Sequence, residues 1–92
     1  MTRFEDTVLA VICSLGPGEV VTYGEIADQA GFPGAARAVG TVLRHCDDGV
    51  PWWRVVGAGG RIRTPERVRQ AELLGKEGVL VLGGKVVAVG NR

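Results

Sequence analysis

Apolar Phe4, Val8, Leu9, Val11, Ile12 and Leu15 recur at three- and four-residue spacing, the period that places side chains on one face of an α-helix. Thr2 and Glu5 stand ahead of that run, in the pairing where each side chain satisfies the other residue's backbone N–H. The pattern predicts a first helix from Thr2 to Leu15, stopped by Gly16-Pro17-Gly18 because proline cannot donate to the helical ladder. Thr22 and Glu25 repeat the capping pair and open a short helix that closes at Gly31. After the turn Pro33-Gly34, residues 35–45 form a third helix with Ala35, Val39, Val42 and Leu43 toward the core. Thr64 as N-cap and Pro65 as first helical residue predict a fourth helix running to about Glu77. At the C-terminal end, residues 79–82 and 85–89 flank Gly83-Gly84, a two-residue hairpin signature. The predicted fold is mainly α with a small β-hairpin, arranged as a helix-turn-helix whose hairpin serves as a wing.

Ninety-two residues, 46% of them apolar and 23% charged, suit one compact domain spanning 1–92 with one modest core. Apolar runs fall short of the roughly 20 residues that a bilayer helix needs, and the first residues lack the pattern of a secretory signal. The expectation is a cytoplasmic monomer with no membrane association. Cys13 and Cys46 lack C-x-x-C spacing and one histidine cannot complete a zinc site with them, so neither a structural metal nor a cofactor is expected. Cys13, among apolar helix residues, reads as core.

Charge alters this picture of an ordinary small domain. Residues 1–36 carry one base and five acids, whereas residues 37–69 carry seven arginines and three acids, about −4 against +4. Arginine makes bidentate contacts to phosphate and stacks on bases; a solvated basic face explains the same bias equally well. Arg37, Thr41 and Arg44 share one face of the third helix beside the small Gly40. A small residue there either lets the helix backbone approach a nucleic-acid groove or serves helix packing.

Three ordered segments add a specific signal: residues 21–27 (VTYGEIA), residues 35–40 (AARAVG) and residues 51–56 (PWWRVV). Together they resemble the C-terminal domain of the alkylguanine-DNA alkyltransferases, and Leu73-Leu74 followed by Glu77-Gly78-Val79 extends the likeness over nearly the whole chain. The resemblance implies a winged helix-turn-helix that binds duplex DNA through the minor groove and rotates a damaged nucleotide into a pocket. It makes residues 35–45 the recognition helix, with Gly40, Thr41 and Arg44 on its DNA face. Arg37 becomes the finger that fills the space left by the flipped base, and Tyr23 the residue that turns the nucleotide through its phosphate. Without the resemblance, Tyr23 reads as half-buried packing and Arg37 as a solvated charge.

The departure from that family lies at Pro51-Trp52-Trp53-Arg54, where the enzymes carry Pro-Cys-His-Arg. Trp52 stands at the nucleophile, and an indole supplies no thiolate; Trp53 interrupts the relay from glutamate through histidine a second time. Tryptophan at the cysteine position resembles the alkyltransferase-like proteins, which implies a non-enzymatic protein that binds alkylated guanine and recruits nucleotide excision repair proteins. The expected lesion pocket comprises Tyr23, Pro51, Trp52, Trp53, Arg54, Arg67 and Arg69, with Trp52 as its floor. Trp53 has a second reading as core filling beside Val55 and Val56, and Arg67 and Arg69 have one as phosphate contacts or solvated charges. Glu77, deprived of its histidine, keeps a structural hydrogen-bonding role. Two rival functions remain: a divergent methyltransferase using Cys46, disfavoured because a helix C-terminus beside Asp47 and Asp48 opposes a thiolate, and a winged-helix transcription regulator that prefers a sequence over a lesion.

Overall fold

The computed structural model of the chain describes residues 2–47 and 49–89. Helix α1 spans Arg3–Cys13 and is opened by the Thr2–Glu5 capping box: Glu5 N–H donates to Thr2 Oγ1 at 3.1 Å and Thr2 N–H donates to Glu5 Oε1 at 2.9 Å. Val8 and Ile12 are fully buried on its inner face. Cys13 is exposed, which corrects the reading of that residue as core. One residue past Ile12 is a rotation of about 100°, enough to carry its side chain off the buried stripe.

Strand β1, only Val21–Thr22, leads directly into helix α2, Tyr23–Gln29. The second capping box forms as expected, Glu25 N–H donating to Thr22 Oγ1 at 3.0 Å and Thr22 N–H to Glu25 Oε1 at 2.7 Å. Helix α3 covers Ala36–Arg44. Between α2 and α3, Phe32-Pro33-Gly34-Ala35 closes with an Ala35 N–H to Phe32 carbonyl bond of 3.1 Å, and Gly34 takes a φ of 86°. Proline followed by a positive-φ glycine is the sequence requirement of a type II turn. Phe32 meets Phe4 edge-to-face at 4.9 Å, which ties this turn to α1.

The two helices pack on α1 around Ile26, Ala27, Val39 and Val55. Val55–Val56 forms strand β2, parallel to β1 with Val21 opposite Val55 and Thr22 opposite Val56. This two-rung pair is absent from the sequence reading; two-residue strands leave no periodicity to detect. A single-turn helix, Trp52–Arg54, precedes β2, and a tight turn over Ala58–Gly60, with Gly59 and Gly60 at positive φ, follows it. Helix α4 covers Arg67–Lys76, and β3 (Leu80–Leu82) pairs antiparallel with β4 (Lys85–Ala88) across Gly83-Gly84, both at positive φ. The hairpin and α4 enclose a second small cluster of Ile62, Leu74 and Val79, joined by Trp53. The mainly helical architecture with one small hairpin thus agrees with the predicted fold class.

Helix α4 starts later than its sequence suggests, which corrects the assignment of Thr64 as N-cap and Pro65 as first helical residue. Glu66 occupies the cap and makes no side-chain capping bond. The Thr64 hydroxyl is committed elsewhere, donating to Gln70 Oε1 at 3.0 Å. Gln70 is fully buried, and its amide donates to the carbonyls of Trp53 and Val55, each at 3.0 Å. A buried carbonyl left without its donor costs about 1–3 kcal/mol. Gln70→Leu, which keeps the volume and removes the amide, is therefore expected to destabilise the fold by at least that amount, measured as a lowered urea midpoint at unchanged m-value.

Candidate nucleic-acid interface

The parallel β1–β2 pair sets Tyr23, the first residue of α2, beside the Trp52–Arg54 turn that feeds β2. A cleft of about 830 Å³ opens there. One wall comes from α2 and α3 through Tyr23, Arg37, Gly40 and Arg44; the other comes from Trp52, Gly57, Arg63 and Arg69, with Cys46 between them. Of the residues expected at the site, Tyr23, Arg37, Gly40, Arg44, Trp52 and Arg69 meet at this cleft. Thr41, Pro51, Trp53, Arg54 and Arg67 do not line it.

Each of the five has a visible reason. Thr41 is exposed and turns its hydroxyl back to the Arg37 carbonyl at 3.3 Å. Pro51 is buried behind Trp52 in the chain. The Arg67 guanidinium lies against the hairpin turn, within 3.3 Å of where a Cβ on Gly84 would stand. Trp53 packs on the Ile62, Leu74 and Val79 cluster and donates its indole N–H to Glu77 Oε2 at 2.9 Å. Arg54 forms an ion pair with the same oxygen at 2.7 Å and donates to the Leu15 carbonyl at 2.8 Å. Of the two readings of Trp53 the geometry follows core filling, and Arg54, expected in the pocket, is instead engaged with Glu77 and Leu15.

Arg63 was not singled out from the sequence, where it is one of four arginines in a short stretch. Its aliphatic stem runs across Gly57: a Cβ on that glycine would stand 2.6 Å from Arg63 Cγ and 3.2 Å from the Arg61 carbonyl. In the sequence nothing distinguishes Arg63 from Arg61, Arg67 and Arg69, the other three arginines after the pocket segment. Gly40 presents the reverse situation, since a Cβ added there would meet nothing within 4 Å. This part of α3 is open toward the cleft, and helix packing does not account for the glycine.

Burial raises the Tyr23 phenol above its ordinary pKa, against a partial opposing pull from Arg63 and Arg44. The hydroxyl therefore keeps its proton near neutral pH and remains a donor facing a cationic cleft. Cys46 donates its thiol hydrogen to the Leu43 carbonyl at 3.1 Å. Asp48, the second acid of that loop, lies outside the described residues.

A helix-turn-helix flanked by a hairpin, with its second helix forming one wall of an arginine-lined cleft, defines a winged helix-turn-helix module. Residues 3–79 match the family described as "6-O-methylguanine DNA methyltransferase, DNA binding domain", and the chain belongs to that family as an alkyltransferase-like member. A DNA base-flipping protein of Vibrio parahaemolyticus is 42% identical over 85 residues, covering 88% of this chain and 85% of the relative. Alkyltransferase-like protein 1 of Schizosaccharomyces pombe is 38% identical over 85 residues, covering 86% and 79%. The crystal structure of S. pombe Atl1 in complex with damaged DNA containing O6-carboxymethylguanine superposes with a TM-score of 0.82 at 36% identity, covering 89% of this chain and 82% of that one.

Glu77 is the most strongly perturbed acid near the site. Desolvation pushes its carboxyl upward, but hydrogen bonds from Arg54, the Gly18 N–H and Trp53 outweigh this and bring it to about 2 from an ordinary 4.5. A carboxyl depressed in the folded state contributes stability that is complete above its unfolded pKa and is lost as pH falls through the folded value. The contribution is therefore present above about pH 4.5 and disappears toward pH 2. Glu77→Gln is expected to be less stable at pH 7 and to show a flatter fall in urea midpoint across that window. Parallel curves for the two proteins would remove the ion pair from the stability of the fold.

Proposed function

We propose that this protein is a non-enzymatic sensor of alkylated guanine in duplex DNA. It docks α3 against the minor groove as a monomer, inserts Arg37 into the stack, and rotates the damaged nucleotide past Tyr23 into the cleft walled by Trp52. The held complex then recruits nucleotide excision repair proteins. The observation that carries this reading is the position of Trp52: an indole stands on the wall of the cleft, on the turn where the enzymes of the family carry their cysteine. Base–aromatic stacking is worth roughly 1–3 kcal/mol per base in single-strand binders, so the substitution replaces bond-breaking chemistry with binding. Arg37, Arg44, Arg63 and Arg69 supply phosphate and base contacts from both walls. The yeast relative solved with damaged DNA supports the choice of ligand.

One observation favours a second reading. Cys46 lines the same cleft, as a divergent methyltransferase would require, although its thiol is engaged with Leu43.

Titration into matched duplexes, one carrying a single O6-methylguanine, separates these readings when tryptophan fluorescence is followed and protein and DNA are then weighed by mass spectrometry. Tighter binding to the lesion with the methyl group still on DNA is expected. Methyl transfer to protein would establish the Cys46 enzyme instead, and equal affinity for both duplexes would leave an ordinary DNA-binding regulator.

The open face at Gly40 makes a further prediction. Replacing a mid-helix glycine by alanine gains roughly 0.5–1 kcal/mol of stability, and nothing in the free protein obstructs the added methyl group. Gly40→Ala is thus expected to raise the melting temperature while weakening DNA binding, measured by calorimetry and fluorescence anisotropy on one preparation.

A further inference from the structure

Trp53 does not itself line the cleft, yet its side chain is held from several directions. Its indole N–H donates to Glu77 Oε2 at 2.9 Å, and the Arg54 guanidinium lies over its ring at 5.2 Å from the centroid. Arg54 is fixed in turn by Glu77, with the two side chains only 12% and 13% exposed. The Trp53 carbonyl accepts from the buried Gln70 amide at 3.0 Å, so the backbone is pinned as well as the ring. The remaining edge of this assembly meets Trp52: the two indoles stand edge-to-face, 6.0 Å apart at 88°.

We propose that Trp53 is a positioning residue for Trp52, holding the Trp52 indole in the orientation against which a flipped base stacks. The inference rests on the sensor reading for its ligand but on the geometry of the turn for its mechanism. An unbraced indole on a short turn samples several rotamers, and binding must then supply the entropy of ordering it. Edge-to-face contact with an immobile ring removes most of those alternatives before DNA arrives. Glu77 serves here as acceptor for the Trp53 and Arg54 donors, and through Trp53 its orientation bears on the Trp52 ring. Both carboxylate oxygens are occupied, Oε1 by the Gly18 N–H at 2.8 Å and by Arg54, Oε2 by Trp53 and Arg54.

The test compares the wild type with Trp53→Phe, which retains an aromatic ring and removes the N–H. Affinities are measured for the O6-methylguanine duplex and its undamaged counterpart, with both tryptophans labelled as 5-fluorotryptophan for fluorine NMR and assigned through Trp52→Phe. The expected result is a preference for the lesion reduced by about 2–10-fold, the range of one aromatic pair, with affinity for undamaged DNA unchanged and the Trp52 resonance shifted and broadened in the free protein. An unchanged preference with an unmoved Trp52 resonance would overturn the proposal, and so would an equal loss of affinity for both duplexes, which marks a general structural role. Should Trp53→Phe fail to fold, the wild type decides: the Trp53 indole N–H must exchange with solvent more slowly than that of Trp52, and the rings must show mutual cross-peaks. Absence of either overturns the brace. A wild type with no lesion preference would refute the sensor reading alone, because the resonance of free Trp52 still reports on the brace.

Discussion

The arrangement of this protein depends on one half-buried carboxylate. Glu77 stands just past the end of α4 and accepts from the Gly18 N–H, the Trp53 indole and the Arg54 guanidinium. Three parts of the chain that share no regular structure are joined at that point: the loop before β1, the turn before β2 and the end of α4. A charge in such a place is tolerated only when paired and fully hydrogen-bonded. Arg54 completes the junction by reaching the last turn after α1 through the Leu15 carbonyl. The direction of the Trp52–Arg54 turn, and with it the residue offered to the cleft, follows from this set of bonds.

The resemblance to the alkylguanine-DNA alkyltransferases assigns the corresponding glutamate to holding a histidine that activates a cysteine. Here the same position holds an indole and a guanidinium, and neither group passes a proton on at neutral pH. The framework of a relay persists with its chemistry removed. What remains is a turn tied to the rest of the fold through Glu77, Arg54 and Gln70.

Charge and shape are divided across the molecule in a related way. The acidic residues of the first 36 positions lie largely on exposed positions of α1 and α2 and none of them lines the cleft, where arginines converge from α3 and from the segment after β2. The cleft forms between two bodies, each with its own small apolar cluster, and the two-rung β1–β2 pair sets their spacing. Tyr23 and Trp52, 29 positions apart in the chain, face one cavity because of two short stretches of backbone pairing.

Local features were legible in the sequence because their physics is local. A threonine three residues before a glutamate caps a helix wherever it occurs, proline followed by glycine makes the α2–α3 turn, and paired glycines make the hairpin. The motif at residues 51–54 likewise put two tryptophans beside Arg54 in plain view without any coordinates. Other assignments required partners distant in sequence. Gln70, six residues away, diverts Thr64 from its cap; Glu77 turns Trp53 and Arg54 from the cleft; Gly57 steers Arg63 into it while Arg67 goes to the hairpin. Sequence determined which side chains were available for a nucleic-acid site and that tryptophans stand at residues 52 and 53. Tertiary structure alone decided which of two adjacent tryptophans and which of four arginines line the cleft, because competing hydrogen-bond acceptors and close approaches arise only when the chain has folded.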